Sequence, residues 1–190
     1  MATIFSTRDL GISPGQTRHD EVDLELVPYN QSGQEYLAVG GSVPARLDTT
    51  AMTEGISFQL RFSAVYEGPC SRCLEPASLA VEIDAFEVHD PNISPDEEGA
   101  EQLRSEHVDD KLNELNVSTW AQECVGLQFP SRLLCKSDCR GLCGECGIDM
   151  NQVDGEHHHD KPADSRWDAL KSLQLDDSEG SARDAAEESG

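Results

Sequence analysis

Six of the seven cysteines fall into two short clusters, and that spacing constrains the fold more than any other feature. Cys70-Ser71-Arg72-Cys73 is a C-x-x-C pair just after Gly68-Pro69. Downstream, Cys135, Cys139, Cys143 and Cys146 are separated by three, three and two residues and interleaved with Gly141, Gly144 and Gly147. His157, His158 and His159 follow. Intervening residues of a C-x-x-C pair can fold back so that their amides hydrogen-bond to both sulfurs, which lets the thiolates converge on one ion. An odd number of cysteines argues against a disulfide framework. So does the start, Met1 to Arg8, which lacks a basic stretch followed by roughly 7–15 apolar residues. We expect a cytoplasmic protein with reduced thiols and bound metal.

Structural zinc takes four Cys or His ligands, and the supply allows one or two Zn2+ ions. The preferred partition places Cys70 and Cys73 with Cys135 and Cys139, and Cys143 and Cys146 with His157 and His159. The alternative gathers Cys135, Cys139, Cys143 and Cys146 around one ion and leaves the first pair without a settled partner. Cys124, alone on an apolar helical face, reads as a small core residue. Residues 131–161 hold few apolar side chains, so metal, which supplies roughly 10–16 kcal/mol apparent in zinc-finger peptides, is what would organise them.

Upstream, apolar residues alternate with period two, as in strands with one buried and one wet face. Val22, Leu24 and Leu26 form one run. Leu37, Val39, Val43, Ala45 and Leu47 form a second, interrupted at Gly40-Gly41, and Ile56 to Tyr66 a third. The fourth runs Leu79, Val81, Ile83, Ala85 and then shifts to Phe86 and Val88, as a bulge would make it do. This predicts an antiparallel meander over 22–89. Residues 91–110 read as a solvated acidic loop. Thr119 with Gln122 forms a capping-box pattern and predicts a helix over 119–128 that buries Trp120, Cys124 and Leu127. Asp164 would cap a second helix over 164–174 carrying Trp167, Leu170 and Leu173. The tail, 176–190, reads as disordered. The expected fold is thus α+β: an antiparallel β-sheet meander, two short helices and a zinc-tied C-terminal region, in one domain over 1–175.

Charge narrows the function. Asp and Glu number 37 against 14 Lys and Arg, a formal net charge of −23, which repels phosphate at long range. No apolar run approaches the ~18 residues of a membrane span. No P-loop, G-x-G-x-x-G, G-x-S-x-G or H-E-x-x-H occurs. A redox dithiol at Cys143-Gly144-Glu145-Cys146 is the competing enzymatic reading. That chemistry prefers a C-x-x-C opening a helix, where the dipole lowers the thiol pKa. Gly147 suits a knuckle better.

Three ordered motifs, Cys70 to Pro76, Leu134 to Asn151 and Asp164 to Leu173, resemble the YceD family of large ribosomal RNA subunit accumulation proteins. The resemblance implies a non-catalytic role in 23S rRNA accumulation and large ribosomal subunit assembly. With so acidic a chain, contact would run through pre-ribosomal components such as a basic ribosomal protein. RNA would be met indirectly or at a small patch of Arg132, Lys136 and Arg140, and no membrane or small-molecule substrate is implied. The alternative function is a zinc-dependent thiol redox switch or redox enzyme. Where many relatives carry C-x-C after the position of Asn151, this chain has His157 to His159, so His157 and His159 would substitute ligand for ligand. Other relatives keep the first C-x-x-C without the later one, which favours joining Cys70 and Cys73 with Cys135 and Cys139.

Overall fold

The computed structural model describes residues 2–8, 10–94, 96, 99 and 103–159. The chain divides into two compact units, Met1–Gln152 and Val153–Gly190. The helix expected over 164–174 and the tail over 176–190 lie outside the described residues.

Alternating runs become strands because burying every second side chain on one face needs a partner layer. In the first unit these are β1 (Ile4–Ser6), β2 (Thr17–Glu25), β3 (Tyr29–Gln31), β4 (Gln34–Ala38), β5 (Ser42–Ala51), β6 (Ile56–Pro69), β7 (Pro76–His89), β8 (Val108–Asp109) and β9 (Glu114–Asn116), followed by the helix α1 (Val117–Gln128). All pairings are antiparallel, and six strands form one sheet in the order β2-β5-β6-β4-β3 with β7 also on β6. A strand has two edges. One edge of β6 takes β5 at Ile56 to Phe62 and then β4 at Tyr66 and Glu67, and the other takes β7 over its full length.

The second alternating run is therefore two strands. Gly40 and Gly41 both have positive φ, +87° and +70°, and turn the chain between β4 and β5. The expected shift at Phe86 does not occur. The β6–β7 ladder runs without interruption from Ile56 opposite His89 to Pro69 opposite Pro76. Fourteen continuous pairs outweigh the burial of one ring, so Phe86 stays on the wet face, 64% exposed.

The inner face packs Leu24, Leu47, Phe58, Leu60, Tyr66 and Val81 against α1 and the turn after it. The helix starts two residues earlier than predicted and buries Val117, Trp120, Ala121 and Val125. Its cap is Asn116, whose side chain accepts the Thr119 N–H at 3.1 Å, so Thr119 sits inside the first turn. Cys124 is half-buried, but Leu127 is 89% exposed: the buried face centres between Val117 and Ala121, and at 100° per residue Leu127 falls at the rim of that face, about 20° beyond Trp120 and about 160° from Val125. Phe129, just past the helix, packs its ring on Tyr29, Tyr36 and Tyr66 at 4.2, 5.1 and 5.6 Å.

A three-stranded sheet, β1-β9-β8, was not predicted. It draws the end of the acidic segment inward, where Ser105 and His107 are buried. His107 stacks on Trp120 and faces Glu87 and Glu123 at 3.4 and 3.3 Å, while Arg104 pairs with Asp110. Residues 103–110 are thus partly core, not a solvated loop. Among the described residues no helix is long and apolar enough to cross a membrane.

Candidate metal centre

The first cysteine pair is the tip of the β6–β7 hairpin. Pro69 opposite Pro76 ends the ladder, and residues 70–75 turn back through two backbone bonds, Cys70 N–H to Glu75 O at 2.8 Å and Leu74 N–H to Cys70 O at 3.0 Å. The turn aims both sulfurs the same way, and the Arg72 N–H points at Cys70 Sγ, 3.5 Å away.

Cys135 and Cys139 arrive from the chain beyond α1. The buried Leu133 anchors it, the Ser71 N–H donates to Leu133 O at 2.8 Å, and the Cys139 N–H folds back to Lys136 O at 3.1 Å. Arg72 ties the two segments together. Its guanidinium donates to Cys139 O at 2.7 Å, and its carbonyl accepts the Leu142 N–H at 3.1 Å. Gly141 permits this approach, with φ +77° and Arg72 O only 3.1 Å from where a Cβ would stand.

Cys70 Sγ lies 3.8 Å from Cys139 Sγ and Cys73 Sγ 3.5 Å from Cys135 Sγ. All four sulfurs lie within 4.8 Å of one another. Four sulfurs around a tetrahedral ion at the zinc–thiolate length of about 2.3 Å would be about 3.8 Å apart, so the set already has the right spread. It is not a pair of disulfides, which need about 2.05 Å, and all four cysteines are free. Cys70, Cys73 and Cys139 are buried and Cys135 is exposed.

The electrostatics favour a cation. Burial pushes the Cys70 thiol up, but hydrogen bonds from the Cys73, Arg72 and Cys135 backbone outweigh it and bring it down to about 6. At Cys73 the Glu75 backbone pulls down, yet burial and the thiols of Cys135, Cys139 and Cys70 prevail and push it up to about 12. Cys135 is raised too: its hydrogen bond with Cys73 works against burial and the other two thiols, and loses. One sulfur ionises readily and its neighbours then resist, a conflict that a divalent ion in their midst removes.

Asn151 is a supporting residue that spacing alone did not single out. Its side chain donates to Cys139 Sγ at 3.5 Å and accepts the Arg140 N–H at 2.9 Å. Asp149 orients it, taking the Asn151 side-chain N–H at 2.7 Å and its backbone N–H at 2.9 Å. Those bonds, the backbone one foremost, hold the Asp149 carboxyl below the usual range. The one sequence signal was the Asp-x-Asn spacing of an Asx turn.

Cys143 and Cys146, in the first unit, form a second knuckle built like the first. The Cys143 N–H donates to Ile148 O at 2.8 Å and the Gly147 N–H to Cys143 O at 2.9 Å. His157 and His159, in the second unit, hold their Nε2 atoms 2.7 Å apart. Each pair presents two metal-ligating atoms.

Three comparisons bear on this centre. The family described as "Large ribosomal RNA subunit accumulation protein YceD" matches residues 58–174, a span that includes every cysteine and the three adjacent histidines. Uncharacterized proteins of Mycobacterium tuberculosis and Mycobacterium bovis are each 27% identical over 168 residues, 88% of this chain and 72% of theirs. One of Mycobacterium leprae is 27% identical over 172 residues, 90% of this chain and 76% of its own. No solved structure matches.

Proposed function

The chain belongs to the YceD family, and from that premise we propose that it is a non-catalytic cytoplasmic factor in 23S rRNA accumulation and large ribosomal subunit assembly, held together by structural zinc. The family name itself implies a role in accumulation of the large ribosomal RNA subunit. The observation that carries the zinc assignment is the group of four sulfurs, Cys70, Cys73, Cys135 and Cys139, with two of their separations at 3.5 and 3.8 Å. These residues would hold one ion. Cys143, Cys146, His157 and His159 would hold a second, a set that rests on sequence spacing. Zinc supplies no chemistry here beyond cross-linking: a closed site of four thiolates leaves no open position for water or substrate.

The partner that suits a charge of −23 is a basic ribosomal protein, through which the chain meets 23S rRNA indirectly. A thiol redox enzyme fits less well, because the thiol drawn down to about 6, Cys70, is 0% exposed and a reactive cysteine needs access as well as a low pKa.

Elemental analysis of the purified chain should return two zinc ions. One ion would restrict the assignment to a single set, and none would overturn it. In cells, deleting the gene should lower 23S relative to 16S rRNA. The wild-type chain should restore the ratio, and a Cys70→Ser, Cys73→Ser chain should not. An unchanged ratio on deletion would remove the ribosomal assignment.

A further inference from the structure

The two knuckles make the same turn with different residues at its tightest point. In each, the first cysteine's N–H donates to the carbonyl five residues on, and the N–H four residues on donates back. That fourth residue has positive φ, +74° at Gly147 and +65° at Leu74. Glycine adopts this conformation freely, whereas a side-chain-bearing residue is strained by about 1–2 kcal/mol. Leu74 does not recover the strain by burial, since it is 59% exposed. Strain retained at an exposed residue points to function.

Leu74 forms one wall of a groove of about 430 Å³ that Leu37, Val39, Pro69 and Pro76 also line. Leu37 and Val39 are 52% and 51% exposed, and Val65, which accepts the Val39 N–H, is 41% exposed. Four large aliphatic side chains gathered at one place and turned to water mark a docking surface. Pro69 and Pro76 have no N–H to offer an added strand, so the groove recognises side chains. Its one charged lining residue is Glu67, which stands opposite Leu37 in the ladder. Glu35, two residues before Leu37 on the same strand face, and Glu75, beside Leu74, are exposed at the rim. The groove is therefore apolar with an anionic border, which complements cationic partners and repels phosphate.

We propose that this groove docks a basic segment of a partner protein, one with aliphatic side chains between its lysines or arginines. The proposal takes from the ribosomal reading only the expectation of a basic partner.

The test uses the full-length, zinc-loaded chain and a fluorescent decapeptide alternating lysine with leucine and valine. Peptides with serine for the aliphatic residues, or glutamate for lysine, serve as controls. The Lys/Leu/Val peptide should bind and both controls should bind at least fivefold more weakly. Leu74→Gly and Leu37→Ser should each weaken binding about fivefold. Leu74→Gly should also keep its zinc and a melting midpoint within about 3 °C of wild type, since glycine relieves the positive φ. Loss of zinc or a large drop in midpoint in Leu74→Gly would make the leucine a structural part of the knuckle and overturn the proposal. Equal binding by the lysine–serine peptide, or unchanged binding by both variants, would reduce the effect to net charge and overturn it too. A wild-type dimer that Leu74→Gly dissociates would assign the groove to a second copy, and competition by a single-stranded RNA oligonucleotide would assign it to nucleic acid. Either result excludes the partner proposed. Peptide binding lost in Leu74→Gly while gene deletion leaves the rRNA ratio unchanged would refute the ribosomal role alone. Peptide binding insensitive to the groove variants with a fallen rRNA ratio would refute the groove alone.

Discussion

The β5–β7 sheet and the cysteine segment over 131–152 touch, yet they are ordered by different forces. The sheet places Leu47, Phe58, Leu60 and Tyr66 at 0–1% exposure, and each buried side chain of this kind contributes roughly 1.5–3 kcal/mol. Beyond Pro130 the buried residues among those described are Leu133, Cys139 and Gly141, and only the first two carry a side chain. Such a segment cannot offset its conformational entropy by burial. It is fixed instead by backbone bonds to Arg72 and by four converging thiols. Damage to the core should therefore spread through the first unit, and damage to the thiols should stay local.

The sharpest way to break this contrast is Cys139→Ser. It should release one metal ion per chain and withdraw a contribution on the scale of roughly 10–16 kcal/mol apparent. Hydrogen exchange should show residues 131–152 losing protection while β5 to β7 keep theirs; loss of protection in both regions would mean that the sheet depends on the site. Next in size, Phe58→Ala should cost about 3–5 kcal/mol, a fall in melting midpoint of about 6–20 °C. Below the transition, metal content should not change.

A smaller effect is expected on the outer face, where Asp48 meets Arg46, Arg61 and His19 at 2.8, 2.9 and 2.6 Å. Burial works to raise the Asp48 pKa, but hydrogen bonds from Arg46 and His19 outweigh it, so the carboxyl titrates below its ordinary value. A depressed folded-state pKa gives stability that is present above about pH 4 and lost as pH falls through the folded value. Asp48→Asn should cost about 1 kcal/mol at neutral pH, modest because Arg46 and Arg61 are about half exposed. In melting curves from pH 7 down to pH 2, variant and wild type should converge at the acid end. Smallest of all, Cys124→Ser should change stability by less than about 1 kcal/mol and leave the metal content alone, because this thiol lies on α1. Burial, with Glu87 and Glu123 close by, pushes it up to about 11, far from the thiolate a metal requires.

What the sequence disclosed follows from the range of the forces involved. Period-two alternation is local, and it located β2, β5, β6 and β7. Ligand spacing is local within each cluster, and within the first unit the structure brings the first expected quartet together. Features decided by pairing between distant segments were not legible. Phe86 obeys the β6 ladder instead of its own hydrophobicity, and the division at Gly40-Gly41 follows from two strands sharing one edge of β6. The β1-β9-β8 sheet joins Ile4–Ser6 to Glu114–Asn116, segments far apart in the chain. At the helix start, Asn116 and Thr119 are both competent caps, and the hydrogen bond went to the one that leaves Val117 buried.

The distance along the chain between the two halves of the metal centre has a further meaning in time. Cys73 and Cys135 are 62 residues apart. At a synthesis rate of about 5–20 residues per second, the hairpin tip emerges roughly 3–12 s before the sulfurs that complete its site. Through that interval the nascent hairpin holds two thiols and half of a ligand set, so any part of the β5–β7 sheet that pairs before Cys135 emerges pairs without a complete metal site. A site divided in this way can close only after the apolar hairpin that carries its first half has left the ribosome.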